Sequence, residues 1–431
     1  MKKFIKICEI IMFILYLVLL PFLKDKTSTL LAFPALLLII YISSKIKTKR
    51  FAIYLLISAL LIRIISIFYF KVYIVDDFKT MYDESIKLIN GNISFINNPY
   101  FISFPYQIGH VIYQALFLKI FNSIVFLKII NSIITSLIVL FIYLISKKLT
   151  SDKYARIVSI LYLFMFYPLY LNSVLTNQHL PALLSLVGVY LLIKDKDITT
   201  KKMIYIGLIF GIANIFRTES IVFIIGIIGY NLFIIDDSFK KKSFLSLTLI
   251  VTYFTFNILI SNIVYMTPLK TKLGNKYPEW KVYCGLSVKH NGIYNEEDQN
   301  TFFESNNKKE VLIERIKNDK AKIPLLMLKK EVILNTQTNY DLRLKNNINN
   351  NILHFNQGYL NLIIILFVIS LLPRKKDTNK KIILIKIILA LYYFVYLFIE
   401  ISPRYAYIIH ILMFTILGIG IENINNLLKK H

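Results

Sequence analysis

Stretches of about 20 apolar residues, each long enough to cross a bilayer as a helix, recur from one end of this sequence to the other. No other feature constrains the fold as strongly. Inside hydrocarbon every backbone N–H and C=O must find its partner within the protein, so a run of consecutive spans has to be helical. Composition supports this reading. Hydrophobic residues make up 56% of the chain and aromatic residues 14%, with a mean hydropathy of +0.60, whereas a soluble domain is about 45–50% apolar. A disordered chain, a disulfide scaffold and a soluble nucleic-acid binder are excluded. The formal net charge of +26 does not signal RNA or DNA, because the Lys residues cluster in short segments between apolar runs, as in the cytoplasmic loops of a membrane protein. The 2 Cys residues, Cys8 in the first run and Cys284 in a polar stretch, offer no disulfide framework.

The hydropathy pattern predicts spans at 4–23, 30–44, 51–70, 124–146, 157–172, 180–194, 203–216, 220–235, 244–264, 355–372, 382–399 and 405–421. The fold class is therefore all-α, a polytopic transmembrane bundle of about twelve helices with extracytoplasmic juxtamembrane helices. The run after Met1-Lys2-Lys3 is too long for a signal-peptide core and no A-x-A-like site follows it, so it reads as a retained first helix. Basic clusters set the orientation. Lys2, Lys3 and Lys6; Lys45, Lys47, Lys49 and Arg50; Lys147, Lys148, Lys153 and Arg156; Lys194, Lys196, Lys201 and Lys202; Lys240, Lys241 and Lys242; Arg374, Lys375, Lys376, Lys380 and Lys381; and Lys429 and Lys430 all fall on one side if the N-terminus is cytoplasmic. Residues 105–121 are apolar enough to span, but a span there would invert every later cluster. They are expected to form an interfacial or re-entrant helix on the outer face.

Four regions follow: an N-terminal hairpin (1–48), a transmembrane core (49–264) with a long first outer loop (71–123), an extracytoplasmic segment (265–353) with an amphipathic helical pattern near 302–335, and C-terminal helices (354–431). Outer segments this long are usually functional or disordered.

The outer ends of the predicted helices carry the polar residues that stand out. They are Asp76-Asp77-Phe78, Asn177-Gln178-His179, Phe216-Arg217-Thr218-Glu219-Ser220 and Glu400-Ile401-Ser402-Pro403-Arg404-Tyr405. Ionisable groups this close to hydrocarbon are costly and mark substrate paths or catalytic sites. An Asp at the surface can take a proton from an attacking hydroxyl, and two adjacent carboxylates are expected to raise each other's pKa. An Arg presents a planar fork of donors suited to phosphate. The set fits group transfer from a lipid phosphate, in which the leaving phosphate needs charge stabilisation rather than a proton. Arg63, inside the third run, is expected to pair with a carboxylate in the bundle. The single Trp280 is expected to lie on the membrane, and His179, which belongs to no metal-spaced set, to make a polar contact in the site. No Gly-rich phosphate loop and no zinc spacing is present, so no metal ligands are assigned. A divalent cation near the acidic loop stays open, since carboxylates suit hard ions.

With Pro105-Tyr106-Gln107-Ile108-Gly109 added, these motifs resemble the GT-C class of integral-membrane glycosyltransferases, in particular the bacterial family 39, protein O-mannosyltransferase-like members. The resemblance spans most of 50–421. Phe216-Arg217-Thr218-Glu219-Ser220 is similar to the family's Leu-Arg-Pro-Glu-Gly turn. The resemblance implies that Asp77 is the general base, with Asp76 as neighbour or alternate. It implies that Arg217 and Arg404 hold the lipid-linked phosphate, with Glu219, Gln178 and His179 also in the substrate site. It implies a polyprenyl-phosphate sugar donor and transfer, usually with inversion, on the extracytoplasmic face of a bacterial plasma membrane. The acceptor would be an envelope glycan, lipid or protein. The chain departs from the family at Gln178-His179, where many relatives carry an Asp, and at Thr218, where Pro is usual. The first two helices look like an N-terminal addition. Two other functions fit a chain of this kind. A transporter or lipid flippase would place its polar groups at mid-depth. A polysaccharide polymerase or ligase would tolerate Ala substitutions in 71–84.

Overall fold

A computed structural model describes residues 2–336, 342–372 and 379–429, with the side chains of the first helix from Glu9 onward. Of the basic clusters, Arg374, Lys375, Lys376 and Lys430 lie outside the described residues, as do the side chains of Lys2, Lys3, Lys6 and Cys8. In chain order the helices are α1 (Lys2–Leu19), α2 (Lys26–Lys45), α3 (Phe51–Tyr69), α4 (Asp76–Ile89), α5 (Pro99–Ser103), α6 (Ile108–Ile120), α7 (Ile124–Leu149), α8 (Asp152–Leu163), α9 (Phe166–Leu171) and α10 (His179–Lys194). There follow α11 (Thr200–Phe216), α12 (Ser220–Phe233), α13 (Phe239–Met266), α14 (Pro278–Gly285), α15 (Glu296–Glu304), α16 (Lys308–Asp319), α17 (Ile323–Thr336), α18 (Asn350–Leu371), α19 (Lys380–Phe398) and α20 (Ala406–Leu428). Among the described residues no sheet forms, and the only β-type pairings are two isolated bridges, Val72 with Leu344 and Ile293 with Ile401.

Every predicted span has a helix under it. Among the described residues, seven helices have the length and hydropathy to cross a bilayer alone, and three shorter apolar helices, Glu9–Phe22, His179–Lys194 and Ser220–Phe233, accompany them. The fifth span is broken. α8 stops at Leu163 and Met165 turns extended, so α9 starts on a new axis and delivers Asn172 to the core. That Asn ties three helices together. Its Nδ2 shares two protons among Arg63 O (2.9 Å), Ser66 Oγ (3.2 Å) and Ser132 Oγ (3.0 Å), and its Oδ1 accepts from Thr135 Oγ1 (3.0 Å). A buried amide with its bonding capacity used in this way fixes the relative placement of α3, α7 and α9.

α20 is the central helix, with 83% of its span buried, while α2 and α13 lie at the rim with 22% each. The N-terminal hairpin is built into the bundle. Asn361 on α18 donates to Lys24 O (2.7 Å) and Thr29 Oγ1 (2.9 Å). Gly358 lets the backbone of Ser28 approach so closely that no Cβ could fit between them.

The two ends of the bundle differ as the charge pattern requires. At one end Arg156 donates to Ile46 O (2.8 Å), Lys147 pairs with Asp152 (2.9 Å), Lys381 donates to Ile193 O (2.7 Å) and Asn379 to Lys148 O (2.9 Å). Loops from four predicted basic clusters thus meet there. At the opposite end lie α4 to α6 and α14 to α17. Residues 105–121 supply α6, a helix of 13 residues at this end. It packs along α4.

Arg63 departs from expectation. Its guanidinium is fully buried and, among the described residues, its nitrogens have no hydrogen-bonding partner. It faces the Tyr162 ring at 5.9 Å in place of a carboxylate, and among the described residues the titratable groups acting on it are the tyrosines Tyr162 and Tyr407. Trp280 also departs. It is 2% exposed and packs on Phe302 and Phe303, each at 5.4 Å. The aromatic residues of α15 supply a small core of their own, which removes the indole from any membrane surface.

Candidate active site

α3 ends at Tyr69 and the chain runs extended until α4 begins at Asp76. Asp76 takes a left-handed backbone, φ 50°, a region that Asp tolerates better than most residues. Two carboxylates in the first turn of α4 interact favourably with the helix N-terminus. The turn points them in different directions. Asp76 pairs with Arg343 at the edge of the outer segment. Asp77 faces Arg404, with Oδ2 3.7 Å from Nη2. The Asp77 side chain keeps 42% of its surface exposed, but desolvation by the surrounding outer segments raises its pKa above the ordinary carboxylate value, and the nearby charges of Arg404 and Lys281 counter only part of that rise. Asp76 contributes the least of the causes found. The mutual effect expected from adjacency is therefore minor, because Asp76 is turned away onto its own cation.

Arg404 sits in a short turn, Pro403–Tyr405, at the entry to α20. Gln178 Nε2 donates to its carbonyl (2.9 Å). Its guanidinium lies over the Phe78 ring (4.9 Å), and its Nε has no hydrogen-bond partner among the described residues. Phe78 and Arg404 thus grip one another across the cleft, leaving donors of the guanidinium unspent. At 3.7 Å the Asp77–Arg404 pair is beyond direct hydrogen bonding.

Arg217 is more fully engaged. It terminates α11, its Nε donates to Glu219 Oε1 (2.9 Å) and its Nη1 to Asn177 Oδ1 (3.2 Å). Its guanidinium stands 5.1 Å from the centre of the Tyr405 ring. Asn177 in turn donates to Gln107 Oε1 (2.8 Å) and Phe216 O (3.3 Å). The turns before α6, α10, α12 and α20 are thereby locked into one wall. His179 points inward. Its Nε2 is 3.0 Å from Leu171 O and its Nδ1 3.1 Å from the Tyr407 hydroxyl. A carbonyl only accepts, so Nε2 carries the proton and Nδ1 accepts from Tyr407. Both ring nitrogens are spent in the core, so the structure does not bring His179 to the cleft.

One residue of the cleft escaped the sequence reading, and another was marked there without a role. Lys281 on α14 pairs with Glu400 at 2.6 Å, and the Tyr405 hydroxyl donates to Glu400 (3.3 Å). Burial disfavours the Lys281 ammonium, but Glu400, Tyr405 and Tyr106 outweigh that and hold its pKa well above the usual lysine value. Lys281 had no local signal, as one Lys among many in a long polar segment. Glu400 was visible in the Glu400–Tyr405 stretch and lacked only a partner. Tyr100 adds a buried hydroxyl with no hydrogen-bond partner among the described residues, close enough to feel the Asp77 charge.

Carboxylates are suitable ligands for a hard divalent ion, but Asp76 and Asp77 are each met by a guanidinium. Among the described residues no group of three or more His, Cys, Asp or Glu gathers around a common point. This donor set does not suit a metal.

Residues 108–265 match the sequence profile of the family described as dolichyl-phosphate-mannose-protein mannosyltransferase. Gln178, His179, Arg217 and Glu219 fall inside the matched segment, and Asp76, Asp77 and Arg404 outside it. No curated protein matches the chain at a significant level. Among solved structures, the fold is similar to an oligosaccharyltransferase of Archaeoglobus fulgidus tethered to an acceptor peptide, with 13% identity and a TM-score of 0.50 over 88% of this chain and 50% of that one. A second structure, the archaeal oligosaccharyltransferase AglB from the same organism with an inhibitory peptide and a dolichol-phosphate, gives 14% identity and a TM-score of 0.49 over 88% of this chain and 51% of that one. The chain spans about half the length of these solved structures. The chain is thus all-helical, with residues 108–265 similar to the dolichyl-phosphate-mannose-protein mannosyltransferase family and a fold similar to that of the Archaeoglobus fulgidus oligosaccharyltransferase.

Proposed function

We propose that the protein is a membrane glycosyltransferase that moves a sugar from a polyprenyl-phosphate-linked donor to a cell-envelope glycan, lipid or protein on the extracytoplasmic face. The observation that carries this reading is the meeting of Asp77 and Arg404 across one cleft, 3.7 Å apart, with Lys281 close enough to act on the same carboxylate. The cleft lies at the end of the bundle opposite the basic loops, which supports the outward orientation.

In the proposed step the acceptor hydroxyl oxygen attacks the anomeric carbon. Its proton passes to the Asp77 carboxylate as the new C–O bond forms. The anomeric C–O bond to phosphate breaks, and its electron pair leaves with the polyprenyl phosphate. An Asp whose pKa is raised is a better base than an ordinary surface carboxylate. The leaving phosphate gains charge in the transition state, and fixed donors aimed at that charge lower the barrier. Arg404, whose Nε has no hydrogen-bond partner among the described residues, is the first phosphate ligand. Arg217, already bonded to Glu219 and Asn177, adds positive field and holds the Tyr405 ring. Gln178 acts on the Arg404 backbone, and Asp76 anchors α4 through Arg343. The outer segment 265–353 contributes Lys281 and closes the cleft on the acceptor side.

Mass spectrometry of envelope glycans tests the reading in cells carrying wild type, Asp77→Asn or a deletion. The substitution is expected to reproduce the deletion pattern. A deletion with unchanged glycans would remove the enzyme reading. A deletion phenotype that Asp77→Asn restores to wild type would remove Asp77 from the mechanism.

A further inference from the structure

Lys330 on α17 is fully buried. Its ammonium donates to Gly285 O (2.8 Å), Leu397 O (2.9 Å) and Ile399 O (2.8 Å). An ammonium has three protons to donate, so all its bonding capacity goes to the main chain. The acceptors are carbonyls at the C-terminal ends of two helices, α14 and α19, where intrahelical donors run out and the helix dipole favours a cation. The two helix ends meet closely. A Cβ at Gly285 would collide with the backbone of residues 398–400.

Both clamped elements lead directly into the cleft. α14 carries Lys281, and the turn after α19 carries Glu400 and, four residues on, Arg404. Their backbones are stitched beside the clamp, with Glu400 N–H donating to Lys281 O (2.7 Å) and Ile401 N–H to Gly292 O (2.8 Å).

We propose that Lys330 is a positioning residue whose ammonium, by binding the carbonyls of Gly285, Leu397 and Ile399, sets the register of Lys281, Glu400 and Arg404 in the cleft. The proposal rests on the reading of that cleft as the active site. A neutral amine at position 330 cannot hold three carbonyls, since it has two protons to donate and presents a lone pair to the third. The clamp therefore opens when the proton is lost. Burial lowers the Lys330 pKa to about 8. The charged and titratable groups facing it are Glu331 on its own helix, Cys284 on α14 and Glu400 on the turn. Glu331 is itself raised to about 8 by burial, so a test has to separate the two.

The chain has 1 Trp, and Trp280 is buried next to Lys281, which makes its fluorescence a direct report on α14. The full-length protein in lipid nanodiscs is titrated from about pH 6 to about pH 10. In wild type, Trp280 emission is expected to shift red through about pH 8, with acrylamide quenching rising about twofold as the helix end loosens. Glu331→Gln should keep that transition. Lys330→Met should show the loosened emission at neutral pH with no further transition, together with a drop in kcat of about tenfold or more and at most a small change in acceptor KM. Loss of the wild-type transition in Glu331→Gln would overturn the proposal. So would a Lys330→Met protein with native emission and wild-type turnover, or one that retains the transition. If Lys330→Met does not fold, the wild-type and Glu331→Gln titrations still decide the matter. Absence of any sugar transfer by wild type would count against the function proposed above and leave the fluorescence result intact.

Discussion

Replacing Asp77 by Asn removes one proton acceptor and one negative charge without changing the size of the side chain. A positioned general base is worth about 10²- to 10⁴-fold in rate, so kcat should fall by at least about 100-fold. The donor KM should move the other way. Asp77 and Arg404 are 3.7 Å apart, and opposite unit charges at that distance attract by about 1 kcal/mol in bulk water and about 4 kcal/mol at an effective dielectric constant near 20. In the wild type that attraction competes with the donor phosphate for Arg404. Without it, the donor should bind equally well or more tightly. Stability should also respond. The folded state raises the Asp77 pKa, so the ionised carboxylate opposes folding at neutral pH and the penalty fades as pH falls through the folded pKa. Asp77→Asn is therefore expected to melt at the same temperature as wild type or slightly higher at neutral pH, with any gap narrowing toward acid. The assay is transfer from a synthetic short-chain polyprenyl-phosphate sugar by purified protein in nanodiscs, run alongside a thermal melt. A kcat within about threefold of wild type, in a protein that melts normally, would refute Asp77 as the base.

Arg404→Lys keeps the charge but loses the planar fork, so donor KM should rise about tenfold with a smaller effect on acceptor KM, measured by steady-state kinetics. Asp76→Asn should cost less than about 1 kcal/mol of stability, because the Arg343 pair is partly exposed, and should leave kcat within about threefold; a loss as large as that of Asp77→Asn would show Asp76 to be the base. Glu400→Gln strips the partner from Lys281 while Glu400 itself is buried, and a melt should show destabilisation of about 3 kcal/mol. Gly358→Leu forces a side chain into the backbone of Ser28, and should cost about 1–3 kcal/mol and loosen the N-terminal hairpin, read by protease sensitivity of the 20–26 turn. Wild-type kcat should fall on the acid side with an apparent pKa above the ordinary Asp value of 3.8, a limb absent from Asp77→Asn.

The sequence by itself determined the all-helical class, the order of the apolar helices and the basic end of the bundle. Those properties depend on local energies, the transfer of about 20 residues into hydrocarbon and the placement of Lys outside it. It also marked Asp77, Arg217 and Arg404, because a charge at a helix end beside hydrocarbon is conspicuous wherever the chain goes next. Only the tertiary structure could separate Asp76 from Asp77, which differ in one left-handed backbone angle and in the cation each one meets. It alone turned His179 into the core, left Arg63 without a carboxylate, and buried Trp280 on the aromatic residues of α15. It alone joined Lys281 to Glu400 and Lys330 to three distant carbonyls. These contacts link residues tens to hundreds of positions apart. Hydropathy is a property of a segment, whereas an ion pair or a clamp depends on which segments the fold places side by side.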